Sequence, residues 1–265
     1  MEILATSALG AKRKLNMVCL HGKNTSKAIF EFQSRTFREK FGDVIDFHIL
    51  EGPHNEVEPP LQVFLDRGFQ APFKSYYYTK EHLGEEPLCP FDKSANHSVG
   101  GLEESIKSYV DFSKEHGPFD GALTFSQGGL FARHMHRIVN TIDREYWEPH
   151  FAHERVKLPK FLITFGGPFF PKQEIDYKEK RYKQFDYKFD LESCHFYGKK
   201  DDYLPLMTAH TLFTKEPVII YHEQGHQFPR SINDEDFLKV KEFVRRQHVS
   251  KYGCDEDFVI NASSY

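Results

Sequence analysis

A strand-like run that stops at a serine constrains this chain more than any other stretch of its sequence. In Phe119–Leu130, FDGALTFSQGGL, the apolar run Ala122–Phe125 ends at Ser126 and is followed by small residues and a helix-like pattern. Such a sharp turn exposes a serine at the carboxyl end of a strand, and small neighbours let the strand and the next helix approach closely. Gly128 fills one small position of the G-x-S-x-G pattern, whereas Thr124 occupies the position where glycine is usual.

Short apolar runs alternate with helix-patterned segments along the whole chain. The runs have the length and continuous hydrophobicity of strands that are buried on both faces of a parallel sheet. They lie at residues 16–20, 44–50, 122–125, 160–165, 193–197 and 218–221, with helical patterns at 27–41, 100–116, 130–140, 206–213 and from an N-cap at Asn233 onward. The alternation predicts an α/β fold, with a mostly parallel sheet, helices on both faces and a single domain over residues 1–265.

A segment rich in proline and glycine, at about 52–98, interrupts this alternation. A loop of this length in a compact domain is usually functional or disordered, and the aromatic residues of Phe64–Tyr78 argue against disorder. The chain holds 26 Phe and 13 Tyr against one Trp, so many of these rings must lie inside the protein or line a pocket. We predict that the segment caps the functional site and that Phe73 and Tyr77 contact the substrate.

Two further segments lack a clear period. Residues 169–190 are dense in Lys, Asp and Tyr and are predicted to form a charged, solvated insertion. Residues 250–265 are predicted to be a surface tail. Either segment is a candidate surface for a protein partner.

Charge and cysteine patterns argue against several classes of function. The 35 basic and 39 acidic residues are interspersed and give a formal net charge of −4, which offers no basic surface to nucleic acid or to an anionic membrane. The four cysteines, Cys19, Cys89, Cys194 and Cys254, have no C-x-x-C spacing, so we expect no zinc site, no disulfide framework and no cofactor. No run approaches the ~20 apolar residues of a membrane span, and a cytoplasmic location is expected. Lys12–Lys14 leave a mitochondrial targeting role open.

Polar residues that can act together follow three of the predicted strands. These are Ser126, then Asp201 or Asp202, then His222 or His226. Carboxyl ends of parallel strands share one edge of a sheet, and the order nucleophile, acid, histidine is that of α/β-hydrolases. A histidine takes the serine proton while a buried carboxylate orients the imidazole. Each residue alone is a weak signal, but their joint placement predicts a catalytic triad of Ser126, Asp201 and His226. Asp202 is the fallback acid, and His222 is interpreted as a structural histidine because it is still on its strand.

An oxyanion hole is the fourth element that this chemistry needs. It consists of two backbone N–H groups about 3 Å from the developing negative charge. Gln127 directly follows the predicted nucleophile, and Lys23 lies in the loop after the first strand, where Gly22 permits a turn. We predict that the backbone amides of Lys23 and Gln127 form the hole.

Several segments together resemble the FSH serine hydrolases of fungi and their animal relatives. The matching segments are VCLHGKNTS at 18–26, LEGPH at 50–54, GLEESIKSYVDFSKEHGPFDGALTFSQGG at 101–129, HFYGKKDDYLP at 195–205 and HEQGHQFP at 222–229. The resemblance implies an α/β-hydrolase that cleaves carboxyl esters or thioesters, with Ser126, Asp201 and His226 at the family's triad positions. Thr124 departs from the family's elbow glycine and can crowd the turn, and the 169–190 region is longer than the family needs.

Two other functions compete with a metal-independent esterase or thioesterase. The first is a scaffold or interaction protein that retains the hydrolase fold, since a fold does not by itself imply an activity. The second is a peptidase or lipase on the same fold, which is the weaker alternative because the sequence contains no interfacial hydrophobic helix and no peptide-binding module. The complete set of Ser126, Asp201 and His226 favours the enzyme.

Overall fold

The computed structural model describes residues 13–56, 60–80, 98–140, 157–168, 173–176, 181–184, 188–256 and 258–260. The strands are β1 Leu15–Leu20, β2 Ile45–Leu50, β3 His54–Asn55, β4 Lys74–Ser75, β5 Tyr78–Lys80, β6 Ser98–Gly100, β7 Gly121–Phe125, β8 Phe161–Phe165, β9 Gln173–Asp176, β10 Arg181–Gln184, β11 Glu192–Gly198 and β12 Val218–His222. The α-helices are α1 Lys27–Gln33, α2 Arg35–Phe41, α3 Gln62–Leu65, α4 Leu102–His116, α5 Gln127–Asn140 and α6 Asp234–Tyr252.

Six of these strands form the central sheet, in the order β12-β11-β8-β7-β1-β2. Every neighbouring pair in it is parallel. All residues of β7 and β8 are buried, as their unbroken apolar runs predict for strands covered on both faces. The sheet confirms the predicted α/β-hydrolase fold class, with a mostly parallel sheet between helices.

The helices divide the core into two layers, one on each face of the sheet. On one face, α4 and α5 cover the sheet with residues such as Ile106, Tyr109 and Phe131. On the other face, α1, α2 and α6 pack through residues such as Phe37 and Phe243. The chain therefore uses its many phenylalanine and tyrosine rings to fill both layers.

The direction in which successive strands are added to the sheet reverses between β1 and β7. The chain leaves β1 toward β2 on one side and later enters β7 on the other side. In open parallel sheets, ligands bind beyond the carboxyl ends of the strands at such a switch point. The loops after β1 and β7 meet at this position.

Two predicted helices differ from the structure. The pattern at 27–41 is split at Ser34, whose hydroxyl donates to the carbonyl of Phe30 at 2.6 Å and whose backbone lies at φ −88° and ψ 0°. The pattern at 206–213 forms two 3₁₀ turns, Leu204–Leu206 and Ala209–Leu212, because Met207 leaves the helical region with ψ 53°. The N-cap at Asn233 is confirmed, since its side chain accepts from the amide of Asp236 at 2.8 Å.

A second sheet occupies parts of both interrupting segments. Its order is β5-β6-β10-β9, so strands from the predicted cap at 52–98 pair with strands from the predicted insertion at 169–190. Sequence periodicity indicated no strands in 169–190, whereas the structure has β9 and β10 there; that the region is a charged insertion stays a prediction. Strand pairing with a distant partner, rather than local pattern, decides the structure there.

The segment predicted as a surface tail also contributes to the core. Residues 250–252 are the last turn of α6, and a left-handed Gly253 at φ 77° ends the helix. Ile260 is 6% exposed and lies in the same apolar layer as Val240. The short apolar run that ends at Ile260 is too brief to carry a periodic signal. Within the described chain, no helix combines the length and apolarity that crossing a bilayer requires.

Candidate active site

Ser126 occupies a strained turn between β7 and α5. Its backbone has a φ of 49°, the left-handed region that non-glycine residues rarely adopt, and its amide donates to the carbonyl of Phe165 at 3.0 Å. A Cβ on Gly128 would lie 2.2 Å from the carbonyl oxygen of Leu20. The small residue is therefore needed for the close approach of α5 to β1, as the sequence pattern predicts.

Thr124 is accommodated beneath this turn without crowding it. Its side chain is fully buried, and its hydroxyl donates to the hydroxyl of Thr164 on β8 at 3.0 Å. Gly129 and Gly167 lie against this threonine pair, where a Cβ on either would come within 3.2 Å of the Thr164 methyl carbon. Gly129 and Gly167 thus provide the room that a glycine at position 124 usually provides.

His226 and Asp201 are joined directly. The Nδ1–H of His226 donates to Oδ2 of Asp201 at 2.7 Å, so Nε2 is the ring nitrogen that can accept a proton from a nucleophile. The Asp201 side chain is fully buried, and its Oδ1 accepts from the amide of Tyr203 at 2.9 Å. Asp202 is exposed. His222 is buried and bonds through Nδ1 to the side-chain oxygen of Gln224 at 3.0 Å, and burial lowers its pKa.

The imidazole of His226 lies over the elbow. Its ring centroid is 5.0 Å from that of Phe125, the residue before Ser126, and 5.3 Å from that of Tyr203. A Cβ on Gly166 would lie 3.1 Å from the imidazole, so the absence of a side chain there makes room for the ring. The side chain of His226 is 23% exposed. It therefore lies between two aromatic rings with one edge open to solvent.

The loop after β1 lies against the elbow from the other side. A Cβ on Gly22 would be 3.4 Å from the Cβ of Ser126. The carbonyl of Gly22 accepts from Nδ1 of His21 and from the hydroxyl of Thr25, each at 2.7 Å. Lys23 follows directly and its side chain is exposed. The predicted oxyanion loop is therefore next to Ser126 and is tied by its own hydrogen bonds.

His21 holds this loop to the segment after β2. Its Nε2 accepts from the amide of Gly52 at 2.9 Å, which requires the neutral Nδ1–H tautomer. Complete burial lowers the pKa of His21 to about 4. The loop is thus braced by an imidazole that stays neutral well below its usual pKa.

Gln127 joins the elbow to the predicted cap. The side chain is 6% exposed; its oxygen accepts from the amide of Tyr76 at 2.9 Å and its nitrogen donates to the carbonyl of Tyr77 at 3.0 Å. The residue that follows Ser126 therefore binds the cap through its side chain. From the sequence, only the backbone amide of Gln127 is predicted to take part in the site.

The two predicted substrate-contacting residues lie in different surroundings. Phe73 is 5% exposed and packs in a small apolar cluster with Ile29 and Phe64. Tyr77 is 3% exposed, belongs to the main core layer and lies with its ring centroid 6.0 Å from that of His134. Because Tyr77 also bonds to Gln127, it is the one that the structure places beside the elbow.

A cavity of about 340 Å³ lies away from this site. It is at the opposite edge of the sheet, where strands begin, and its lining includes Leu15, Asp120, Lys160 and Glu192. Within the described ranges, no three His, Cys, Asp or Glu side chains come together in a metal-binding arrangement.

Comparison with known proteins identifies a family that this chain matches. A family model described as "Serine hydrolase (FSH1)" matches residues 11–238. An uncharacterized hydrolase of Schizosaccharomyces pombe is 28% identical over 82% of this chain. The matched part is 48% of the length of that relative. Esterase OVCA2 of Homo sapiens is 26% identical over 83% of this chain and 92% of its own length.

A solved structure titled "Structure of YahD with Malic acid" is also similar. It is 15% identical, with a TM-score of 0.48 over 88% of this chain and 94% of its own.

Proposed function

This chain belongs to the FSH1 serine hydrolase family, and from that premise we propose that it cleaves carboxyl esters or thioesters through a covalent acyl-enzyme on Ser126. The hydrogen bond between His226 and buried Asp201, with the imidazole lying over the strained Ser126 turn, is the observation that carries the proposal. General-base activation of a serine needs an imidazole held in one tautomer, and the hydrogen bond to Asp201 supports that tautomer.

Acylation follows from these positions. Oγ of Ser126 attacks the carbonyl carbon of the substrate while Nε2 of His226 takes the serine proton, and the carbonyl π-bond electrons move to oxygen. Asp201 stabilises the imidazolium that results, since its carboxylate already accepts the Nδ1 proton at 2.7 Å. When the tetrahedral intermediate collapses, His226 returns the proton to the leaving alcohol or thiol.

Deacylation repeats the same steps with water. The water gives a proton to Nε2 of His226 and attacks the acyl carbon, and collapse of the second intermediate releases the carboxylic acid and restores the Ser126 hydroxyl. No redox partner or metal is required for this balance. In both half-reactions, the backbone amides of Gln127 and Lys23 would bind the developing oxyanion, which typically contributes ~10²–10³ in kcat per donor.

An apolar acyl group fits the proposal best. Tyr77 lies beside Gln127, and the surrounding layer of the core is rich in aromatic rings. We assign the acyl chain to this side of the elbow, with Tyr77 as its near wall and Phe73, in the separate cluster with Ile29 and Phe64, as a more distant contact. We assign the leaving group to the open side near Tyr203, which is 44% exposed.

Labelling with a fluorophosphonate probe tests the nucleophile. The purified wild-type protein should react with the probe and hydrolyse short p-nitrophenyl esters, and Ser126→Ala should lose both activities while unfolding at the same denaturant concentration, because one hydroxyl is removed from the turn. Ser193→Ala is a matched control, since Ser193 is a fully buried serine on β11 whose hydroxyl has no hydrogen-bond partner among the described residues. The control should label as the wild type does.

Labelling of Ser126→Ala at the wild-type rate would place the nucleophile elsewhere. If the wild-type protein neither reacts with the probe nor turns over any ester or thioester, the scaffold hypothesis would replace the enzyme hypothesis. Comparing esters with thioesters of the same acyl chain then decides which leaving group the site prefers.

A further inference from the structure

Tyr76, which was not predicted from the sequence as a site residue, contacts both sides of the candidate oxyanion hole. It is completely buried. Its hydroxyl accepts from the amide of His21 at 3.1 Å and donates to the carbonyl of Leu50 at 2.8 Å. Its own amide donates to the side chain of Gln127 at 2.9 Å, and its carbonyl accepts from the hydroxyl of Ser105.

These bonds reach both halves of the proposed oxyanion hole. His21 begins the loop that carries Lys23, and Gln127 carries the other donor. The ring of Tyr76 also stacks on Phe131 of α5, with centroids 4.7 Å apart and planes 5° from parallel, and lies 4.8 Å from the ring of His21. One side chain thus connects the loop after β1 to the helix that follows Ser126.

The neighbouring backbone strengthens this connection. Thr25, at the end of the loop, pairs with Lys74 through two backbone hydrogen bonds, of 2.6 and 3.4 Å. A Cβ on Gly52 would lie 2.4 Å from the carbonyl oxygen of Ser75, so the segment after β2 packs closely on the same strand. Residues 74–77 therefore pack along the loop after β1.

We propose that Tyr76 is a positioning residue that sets the distance between the two oxyanion donors, the amides of Lys23 and Gln127. The inference rests on the function proposed above. Oxyanion donors act only when they lie about 2.7–3.1 Å from the developing charge, and a displacement of a few tenths of an ångström weakens them. Without the Tyr76 hydroxyl, the buried amide of His21 loses its acceptor, and the loop must move to satisfy it.

A purely structural role is the competing explanation, because any buried tyrosine stabilises the fold. Tyr109 provides the matched control. It is also completely buried, and its hydroxyl donates to the carbonyl of Lys157 at 3.2 Å, but it lies on α4 away from both donors. Removing either hydroxyl takes a donor from one carbonyl, that of Leu50 or that of Lys157, but only the Tyr76 change affects the oxyanion loop.

The experiment compares Tyr76→Phe with Tyr109→Phe in the full-length protein. For Tyr76→Phe we expect kcat on a short ester to fall on the order of 10- to 100-fold, less than the ~10²–10³-fold loss of a complete donor, with KM within about twofold of wild type. Affinity for a trifluoromethyl ketone, which forms an oxyanion adduct with the serine, should fall by a similar factor. Tyr109→Phe should leave kcat and this affinity at the wild-type level.

A second variant keeps the test decisive if Tyr76→Phe does not fold. Gln127→Met removes both side-chain bonds to residues 76 and 77 and retains the backbone amide, so it should give the same pattern in kcat and ketone affinity. Equal kcat values for Tyr76→Phe and Tyr109→Phe, or a change in KM alone, would overturn the inference. In that outcome, the proposed function would still hold if the wild-type protein turned over the ester and Ser126→Ala did not. It would fail if the wild-type protein showed no turnover and Ser126→Ala made no difference.

Discussion

The two sides of Ser126 are built in opposite ways. On the acid-base side, Asp201 and His226 come from loops after β11 and β12, and the imidazole is partly open to solvent between Phe125 and Tyr203. On the oxyanion side, His21 and Tyr76 are completely buried, and each is held by at least three hydrogen bonds.

The difference follows from what each side must do. A general base has to exchange protons with the substrate and with water, so its reactive edge needs access. Oxyanion donors exchange nothing, and their contribution depends on being fixed before the charge develops. We therefore expect changes on the acid-base side to alter chemistry with little effect on folding, and changes on the oxyanion side to alter both.

The largest effect after loss of the nucleophile is expected on the acid-base side. Asp201→Asn should lower kcat on the order of 10⁴-fold, because an amide in place of the carboxylate favours the wrong tautomer of His226 and no longer stabilises its charged form. Kinetics on a short ester, together with the midpoint of denaturant unfolding, measure the two consequences separately.

Asp202→Asn is the matched control, since Asp202 is exposed and adjacent. It should change kcat by less than about twofold, because isolated surface charges contribute little. The reverse ranking of the two variants would transfer the role of the acid to Asp202. A large loss of stability in Asp201→Asn would contradict the contrast between the two sides.

Acid should weaken the oxyanion side through His21. Burial lowers its pKa to about 4, so between pH 6.5 and 4 the unfolded chain binds a proton that the folded protein does not. Stability is therefore complete above pH 6.5 and is lost as the pH falls toward 4, by about 3 kcal/mol for this residue. His21→Gln should flatten the dependence of unfolding free energy on pH and should also lower kcat.

His195 separates these two consequences. It is completely buried on β11, neither ring nitrogen has a hydrogen-bond partner in the part of the chain that the structure describes, and burial lowers its pKa to about 3. His195→Leu should flatten the same pH dependence while kcat stays at the wild-type level. Chemical denaturation from pH 7 to 4 measures the slope. If His21→Gln and His195→Leu lost kcat equally, the loss would reflect lower stability, and His21 would have no specific role in the oxyanion loop.

The smallest effects should appear in the acyl-chain profile, which tests whether the acyl group lies on the oxyanion side. Each buried methylene contributes at most about 0.8 kcal/mol, or roughly fourfold in kcat/KM. Activity should rise with acyl length and then level off, and Tyr77→Ala should flatten this rise without affecting the shortest ester. Phe73→Ala should flatten it less, because Phe73 packs with Ile29 and Phe64.

Unfolding midpoints must accompany these profiles, since both rings are buried. A wild-type profile that is flat, or one that survives both substitutions, would assign the acyl pocket to other residues.

Much of this site was predictable from local sequence. The bounds of β7 and β8 differ from the predicted runs by one residue, because unbroken apolar stretches fit only strands that are covered on both faces. Ser126, Asp201 and His226 were selected because strand ends converge at one edge of a parallel sheet. The preference for Asp201 over Asp202 came from a turn signal, and the structure places the hydrogen bond to His226 on Asp201.

Tyr76 was not predictable in the same way. It stands in a run of three tyrosines, of which Tyr76 and Tyr77 are buried and Tyr78 is 39% exposed, and composition alone cannot rank them. Its contacts reach residues that are 26 to 55 positions away in the chain. Likewise, no local pattern relates Thr124 to Gly129 and Gly167, or β6 to β10.

The sequence by itself determined the order of the six central-sheet strands along the chain and the turn at Ser126, because hydrophobic periodicity and turn chemistry act over a few neighbouring residues. Only the tertiary structure decided which buried polar groups bond to one another, and so how rigidly the loop after β1 is held to the helix after Ser126. Those bonds depend on the packing of distant segments, where each buried amide and hydroxyl must find a partner in whatever surface meets it.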